Sequence, residues 1–241
     1  MASVPQGSVL GSLLYLIYSS DIPTHLTTHM ATFADDICTL TSHPDPLSVS
    51  ESLQDHLDNL HSWRVSINQS KSVHLTFTLR RQSCSPIKFD NIPIPPAHHV
   101  HYLGLYIDKR ITWNPHTRLK KLDLNRKYGL LSQVLNRNSK LSIENKLTIY
   151  KTVFKPTSTY GIELWGSAKK GNIDRIQSFQ SKVLRTILNA PGTSRTEQFI
   201  TTLTFPLSMK PSNSVLNLKI TLINSLMLCH LPPIPQTPLA D

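Results

Sequence analysis

Residues 29–41, HMATFADDICTLT, place two adjacent carboxylates, Asp35 and Asp36, between two short β-prone runs. Such runs around a two-residue polar step are typical of a β-hairpin. Asp-Asp is not a favoured turn pair, so turn chemistry alone does not account for it. Like charges repel, and each carboxylate loses hydration where it packs. A divalent cation would offset that cost, so the pair is a candidate metal site. The alternative is an ordinary exposed polar turn.

Working outward, the flanking sequence predicts a mixed α+β region over residues 1–112. The apolar run 10–19 suits a buried helix or strand, which periodicity does not separate. Leucines at helical spacing predict a helix over 46–62, with a serine near its start as the cap. Alternation predicts strands at 73–79 and 102–107.

From residue 113 the hydrophobic period becomes helical, and residues 113–190 form the second predicted region. We expect three helices there, over 115–136, 142–166 and 172–189. The remaining residues, 191–241, contain seven of the seventeen prolines and show weak patterning, so we expect a tail without a compact fold. Within it only 215–228 could form a helix or strand.

Charge divides along the same boundaries. Residues 1–106 carry a net charge of −3, residues 107–190 carry +12 and residues 191–241 carry +1, within a total of +10. An acidic front beside a basic middle indicates a nucleic-acid contact surface next to a carboxylate site. The alternative is a solvated, lysine-rich helical face.

Cysteine and histidine usage argues against other classes of site. Cys38, Cys84 and Cys229 are scattered and odd in number, so we expect no disulfide partner and no cysteine-based zinc site. The histidines at 98, 99 and 101 lack cysteine or carboxylate partners at zinc-ligand spacing. No apolar run is long enough to span a bilayer, and we expect an intracellular protein, in the cytoplasm or nucleus, with no membrane contact.

In sequence order these landmarks resemble the reverse transcriptases of non-LTR retrotransposons, most closely the jockey-like group, over residues 3–190. The motifs that carry the resemblance are VPQGSVLG at 4–11, LLY at 13–15 with DIP at 21–23, FADD at 33–36, Trp63 with IN at 67–68 and KS at 71–72, YLG at 102–104 with Asp108 and Trp113, YGIELWG at 160–166 and QSKVLR at 180–185. These motifs, in register over nearly 190 residues, are far more specific than an isolated Ala-Asp-Asp.

The resemblance implies a partial polymerase palm over 1–112, an α-helical thumb region over 113–190 and an RNA-directed DNA polymerase activity in the intact parent. It implies that Asp35 binds Mg²⁺ directly and Asp36 assists, with two Mg²⁺ ions in the intact enzyme. The implied partners are an RNA template, a DNA primer and deoxynucleoside triphosphates. The other implied roles are template and nucleotide positioning by Pro5, Gln6 and Gly7, contact with the leaving pyrophosphate by Lys71, and support of the primer end by Leu103 and Gly104.

Basic residues of the second region would lie against template–primer phosphates. These are Lys120, Lys121, Arg126, Lys127, Lys146 and Lys151. Such contacts give salt-sensitive affinity that does not depend on sequence. Taken singly, each is equally explained as a solvated surface charge.

The resemblance also shows departures. The family has a further catalytic Asp on a strand well upstream of the Pro-Gln-Gly loop, and the 241 residues do not contain it. Ser3 and Ser12 stand where the family has Gly and Pro. After Pro191 the resemblance fades, and we hypothesise that the tail is read in a shifted frame.

We therefore expect a C-terminal palm and thumb fragment, inactive as this chain. The alternatives are a non-catalytic nucleic-acid-binding remnant and a product that does not fold stably, because half a palm leaves strand edges unpaired.

Overall fold

The computed structural model describes residues 9–23, 26–34, 36–62, 68, 70–78, 84–189 and 225–230. Helices and antiparallel strands both occur, as expected for an α+β fold. The chain divides into two compact units. Unit 1 comprises residues 1–100 with 220–241, and unit 2 comprises residues 101–219. The division falls at residue 100, whereas the sequence places its boundary at 112.

The elements of unit 1 alternate helices and strands. They are α1 (Val9–Ser20), β1 (Thr28–Phe33), β2 (Asp36–Ser42), α2 (Pro46–Ser62), β3 (Val73–Thr76), β4 (Lys88–Phe89), β5 (Ile92–Pro93) and, from the tail, a strand over Ser225–His230. The run at 10–19, left open between helix and strand, is a helix. The strand expected over 73–79 is shorter than predicted.

A four-stranded antiparallel sheet forms the centre of unit 1. Its order is β1, β2, Ser225–His230, β3, so the tail strand lies between two strands that precede it by a long stretch of chain. Of the helix or strand predicted within 215–228, residues 225–228 belong to a strand that continues to His230, and residues 215–224 lie outside the described residues. The weak hydrophobic patterning of the tail did not predict the exact position of this strand. Its position is defined by pairing with β2 and β3 rather than by its own periodicity.

Helix α2 supplies the main apolar core of unit 1. Leu53, Leu57 and Leu60 are fully buried, which confirms the stripe read from their spacing. They pack with Val49, Ile87, Phe89 and Ile94. Asp45, not a serine, caps the helix: its Oδ2 accepts from the Ser48 backbone N–H at 2.9 Å.

Unit 2 begins within a hairpin. Strand β6 (His99–Tyr102) pairs with β7 (Leu105–Asp108), and the tail strand is therefore β8 in chain order. The single strand predicted over 102–107 is wrong. Leu103 and Gly104 have φ values of 45° and 76°, and two consecutive positive φ angles are typical of a type I′ turn.

The helices of unit 2 follow the hairpin. They are α3 (Asn114–Leu135), α4 (Ile143–Ile149), a π-helical segment (Tyr150–Phe154), α5 (Lys155–Thr159), α6 (Ile162–Trp165) and α7 (Lys170–Leu188). Helices α3 and α7 confirm the first and third predicted helices. The second, expected over 142–166, is interrupted, because Pro156 lacks the N–H that would continue the ladder and Gly161 has a φ of 67°.

The core of unit 2 forms where α3, α7 and the π-helical segment meet. Phe154, Phe179 and Trp165 are buried, and Tyr128 meets Phe179 edge to face at 6.3 Å between ring centroids. Gln180 Nε2 donates to Ser158 Oγ at 2.7 Å inside this core. Among the helices that the structure describes, none is long and apolar enough to cross a membrane.

Candidate functional site

The β1–β2 hairpin carries the candidate catalytic carboxylates. Phe33 and Asp36 are paired across the strands, and the first of the two residues between them, Ala34, has a φ of 48°. A positive φ there is what the tight two-residue hairpin turns require. The turn therefore begins at Ala34, before the predicted Asp35-Asp36 step, and Asp36 is the half-buried first residue of β2. Asp35 lies outside the described residues.

Helix α1 contacts the same turn. The Tyr15 hydroxyl donates a hydrogen bond to the carbonyl oxygen of Ala34. This contact joins the helix that follows the Pro-Gln-Gly motif in sequence to the tip of the hairpin. Pro5, Gln6 and Gly7 themselves lie outside the described residues.

The register of the sheet aligns Lys71 with Asp36. Cys38 of β2 and Val73 of β3 both pair with Cys229 of β8, and β2 and β3 are both antiparallel to β8. Asp36 precedes Cys38 by two residues and Lys71 precedes Val73 by two, so both stand at the same end of the sheet. Strands lie about 4.8 Å apart, which puts β2 and β3 about 10 Å apart across β8.

A short turn holds the backbone at Lys71. The carbonyl oxygen of Asn68 accepts from the backbone N–H groups of Lys71 at 3.1 Å and Ser72 at 3.0 Å. The side chain of Lys71 is exposed. The turn thus fixes where the strand begins and leaves the ammonium in solvent.

The donor chemistry of Asp36 fits Mg²⁺, since its side chain offers carboxylate oxygens and this cation prefers oxygen ligands and keeps several waters. Among the described residues, which do not include Asp35, no group of three or more His, Cys, Asp or Glu could hold a metal ion.

The turn predicted to support a primer end packs against another turn of unit 2. The Tyr160 hydroxyl donates to the carbonyl oxygen of Leu103 at 2.8 Å. A Cβ at Gly104 would stand 3.0 Å from the Tyr160 ring, and one at Gly161 would stand 2.6 Å from Leu105 Cδ2. The lack of a side chain at Gly104 therefore allows the close approach of the Tyr160 ring.

Asp108 organises the segment that leads into α3. Its carboxylate accepts from the Thr112 N–H at 3.0 Å, the Thr112 hydroxyl at 2.9 Å and the Trp113 N–H at 2.8 Å. Ile111 and Trp113 have φ values of 50° and 60°, which are unfavourable for such bulky residues. The three hydrogen bonds offset that strain, so this motif residue has a structural role here.

Lys120 is turned into the protein. Its Nζ donates to the carbonyl oxygen of Tyr160 at 2.8 Å and lies 5.4 Å from the ring centroid of Trp165. Trp165 Nε1 donates to the same carbonyl at 2.8 Å. Burial lowers the pKa of Lys120 to about 8. These contacts stabilise the Tyr160 turn.

Two further predicted phosphate contacts have partners within unit 2. Lys146 is buried, and its Nζ donates to the carbonyl oxygen of Asn136 at 2.8 Å. Lys127 Nζ lies 3.1 Å from Asp123 Oδ2 and donates to Thr157 Oγ1 at 3.0 Å.

The other three predicted phosphate contacts are Lys121, Arg126 and Lys151. Arg126 and Lys151 are exposed and Lys121 is half-buried. Arg118, which sequence reasoning missed, is exposed on α3, three residues before Lys121 and so beside it on the helix surface. Helical spacing from Lys121 could have found it.

His116 lies at the centre of the aromatic cluster of unit 2. Its Nδ1 accepts from the Tyr106 N–H at 3.3 Å, and its ring lies 5.8 Å from that of Trp165 between centroids. Burial, with smaller contributions from Lys120 and His101, lowers the pKa of His116 to about 3. The ring is therefore neutral near pH 7 and acts as a packed hydrogen-bond acceptor.

Comparison with known proteins gives consistent matches. The family model described as reverse transcriptase (RNA-dependent DNA polymerase) matches residues 1–107. A probable RNA-directed DNA polymerase from transposon X-element of Drosophila melanogaster is 38% identical over 195 residues, covering 77% of this chain and 22% of that protein. The RNA-directed DNA polymerase from mobile element jockey of the same species is 34% identical, covering 81% of this chain and 23% of that protein.

A third relative, the probable RNA-directed DNA polymerase from transposon BS of Drosophila melanogaster, is 34% identical over 79% of this chain. The chain spans between a fifth and a quarter of the length of these curated relatives. No solved structure matches. The similarity covers the hairpin, the β6–β7 turn and the helices of unit 2 alike, and the chain belongs to the jockey-like reverse transcriptases of non-LTR transposons.

Proposed function

We propose that this chain supplies part of the palm and the thumb of an RNA-directed DNA polymerase, with Asp35 and Asp36 as its metal-binding carboxylates. The observation that carries the proposal is the paired Phe33–Asp36 hairpin end inside the matched family region. Its register sets Asp36 at the same end of the sheet as Lys71.

The reaction of the parent enzyme would be in-line transfer of a nucleotidyl group from a deoxynucleoside triphosphate to a primer 3′-hydroxyl. Mg²⁺, when bound, would activate the attacking oxygen and neutralise charge on the leaving pyrophosphate. Asp36, with Asp35, would bind the cation at the hairpin. Lys71, about two strand spacings away, would face the triphosphate end with its exposed ammonium.

Chain-alone activity is a separate matter. The hairpin carries two adjacent carboxylates, and the resemblance assigns a further Asp to the metal site of the intact enzyme. Two ions and a triphosphate carry more charge than two adjacent carboxylates can organise. The purified 241-residue polypeptide should therefore give no primer extension on a poly-rA template with Mg²⁺, and clear incorporation would contradict the proposal.

A chimera tests the catalytic role itself. Residues 3–190 would replace the corresponding segment of the Drosophila melanogaster jockey polymerase, and primer extension would be measured. We expect incorporation by the chimera, and its loss to background in the Asp35→Asn and Asp36→Asn variants. Asp55→Asn, at an exposed carboxylate of α2, is the matched control and should retain activity. Full activity in the Asp36→Asn chimera would refute the assignment.

An exposed apolar surface supports a role within a larger protein. Leu10, Leu13, Leu16 and Ile17 of α1 are each more than half exposed, at 64%, 53%, 63% and 58%. A contiguous exposed apolar patch of this kind is typical of a surface that another segment covers. We propose that α1 packs against further polymerase structure.

The second candidate function is non-catalytic nucleic-acid binding, favoured by the solvent-accessible basic residues of α3. We propose that Arg118, Lys121 and Arg126, with Lys151, contact phosphates. Binding of the isolated chain should be weak, with a Kd of about 1–100 µM, and strongly salt-dependent.

Alanine at each of these four positions should reduce the salt slope by about 0.7–0.9 per removed phosphate contact. Lys88→Ala, at an exposed lysine of unit 1, is the control and should leave the slope unchanged. Equal affinity at low and physiological salt would exclude this binding mode.

A further inference from the structure

The position of β8 within the sheet makes the tail part of unit 1. Six residues of β8 pair with β2, from Ile37↔His230 to Ser42↔Ser225, and four pair with β3. Without β8, the facing edges of β2 and β3 would be unpaired. Open edges of this kind recruit strands from other chains. Strand β8 therefore completes the sheet from within the same polypeptide.

One cross-strand pair in this register consists of two cysteines. Cys38 of β2 and Cys229 of β8 are direct Cα partners. Residues directly opposite on antiparallel strands have Cβ atoms about 4.5–5.5 Å apart. Disulfides join Cβ atoms about 3.5–4.5 Å apart, so a small adjustment suffices.

We propose that Cys38 and Cys229 form an oxidisable pair that locks β8 covalently into the sheet. The inference rests on strand order and register, and it does not use the proposed role of Asp36. It assigns a modification site and a device for holding the tail.

The chemistry is thiol–disulfide exchange with a small-molecule disulfide. The thiolate of one cysteine attacks the reagent, releases one thiol and leaves a mixed disulfide. The second cysteine then displaces the other thiol. One protein S–S bond forms, one reagent S–S bond breaks, and the two electrons lost by the cysteines reduce the reagent to two thiols.

The third cysteine provides an internal comparison. Cys84 is half-buried against the α2 core, and burial raises the pKa of its thiol. Cys38 is 2% exposed within β2, so its oxidation needs a partner already in place or a transient opening of the sheet. Selective linkage of Cys38 to Cys229 would therefore report the native register rather than general thiol exposure.

The test is oxidation of the full chain with excess oxidised glutathione, followed by proteolysis without reductant and peptide mapping. We expect an intramolecular Cys38–Cys229 peptide that reductant removes, with Cys84 unlinked. A mixture of ¹⁵N-labelled and unlabelled chain distinguishes linkage within one chain from linkage between chains. Labelled–unlabelled hybrids would overturn the assignment of β8 to its own chain, and Cys84–Cys229 linkage or none would overturn the register.

Variants check the register independently. In a Cys84→Ser background the linkage should persist, and Cys229→Ser should abolish it. Moving the cysteine by one residue, with Cys229→Ser and Leu228→Cys, should reduce the linkage at least about tenfold, because Leu228 pairs with Thr39 and neighbouring residues face opposite sides of a strand. Adding Cys38→Ser and Thr39→Cys should restore it. Equal linkage in all arrangements would contradict the proposal.

Discussion

The sheet of unit 1 and the helices of unit 2 are held together by contacts of different sequence range. In the sheet, β2 depends on β8, which comes from the far end of the chain. In unit 2, α7 shows its buried apolar stripe in its own sequence, whereas α3 buries His116 and Thr117 as well as Leu124 and Leu135, and short connections join the elements between them. Completion of the sheet in unit 1 therefore depends on one distant strand, whereas unit 2 depends on several local packing surfaces.

The largest expected effect comes from breaking β8. Met227 pairs with Leu40 on one side and Leu75 on the other, and Met227→Pro removes an N–H from the middle of the ladder. Among amides 37–41, those that donate to β8 should lose hydrogen-exchange protection, whereas protection in α7 should be unchanged. Met227→Ala, which retains the N–H, is the control. Retained protection in the proline variant would show that β8 is not needed for the sheet.

The corresponding change in unit 2 should be large but local. Trp165 is fully buried and its Nε1 donates to Tyr160. Trp165→Ala should lower the free energy of unfolding of unit 2 by about 3–5 kcal/mol. Trp165→Phe, which keeps most of the packing and loses the donor, should cost less. The free energy of unfolding of each variant can be measured by denaturant unfolding, with hydrogen exchange in α3 as the probe. Equal decreases in the two variants would show that the hydrogen bond dominates.

Lowering the pH should destabilise unit 2 through protonation of His116. The pKa of its ring is lowered to about 3 in the fold, from the ordinary value of 6.5. Between these values the unfolded chain binds the proton and the folded chain does not, so stability falls as pH drops below about 6.5, by up to ~1.4 kcal/mol per pH unit. His116→Gln keeps an acceptor for the Tyr106 N–H and should flatten the dependence between pH 6 and 4. An unchanged pH profile in that variant would assign the acid effect elsewhere.

The smallest expected effect is the difference in stability between substitutions at a buried and at an exposed lysine. Lys146→Met removes one of two donors to the Asn136 carbonyl oxygen, the other being the Ser139 N–H, and should cost about 1–2 kcal/mol. Lys151→Met, at an exposed position, should change stability by less than about 0.5 kcal/mol. Nucleic-acid affinity should fall more in Lys151→Met than in Lys146→Met. Thermal unfolding and salt-titrated binding of the two variants test this.

Sequence reasoning was strongest where structure follows local periodicity. The leucine stripe of α2 and the helical period from residue 113 predicted α2, α3 and α7 to within two residues. It was weaker where one residue's backbone angle decides the outcome. The positive φ angles of Leu103 and Gly104 turn a predicted strand into a hairpin, and Pro156 with Gly161 interrupts a predicted helix.

The candidate site was predicted in the same uneven way. Motif order pointed to Asp36 and Lys71, but only the shared register with β8 shows that they stand at one end of the sheet. Charge counting grouped Lys146 with Lys151, because composition does not distinguish a buried ammonium from a solvated one. The odd number of cysteines gave no sign that Cys38 and Cys229 are cross-strand partners, because that pairing follows from the register of β2 and β8.

The sequence by itself determined the family, the adjacent carboxylates, the basic character of the second region and most of its helices. These follow from residue identity and from spacing along the chain, which folding does not alter. The tertiary structure decided that a weakly patterned tail supplies a central strand, and which lysines are buried in unit 2. Those outcomes depend on pairing and packing between residues far apart in sequence, which local patterns do not encode.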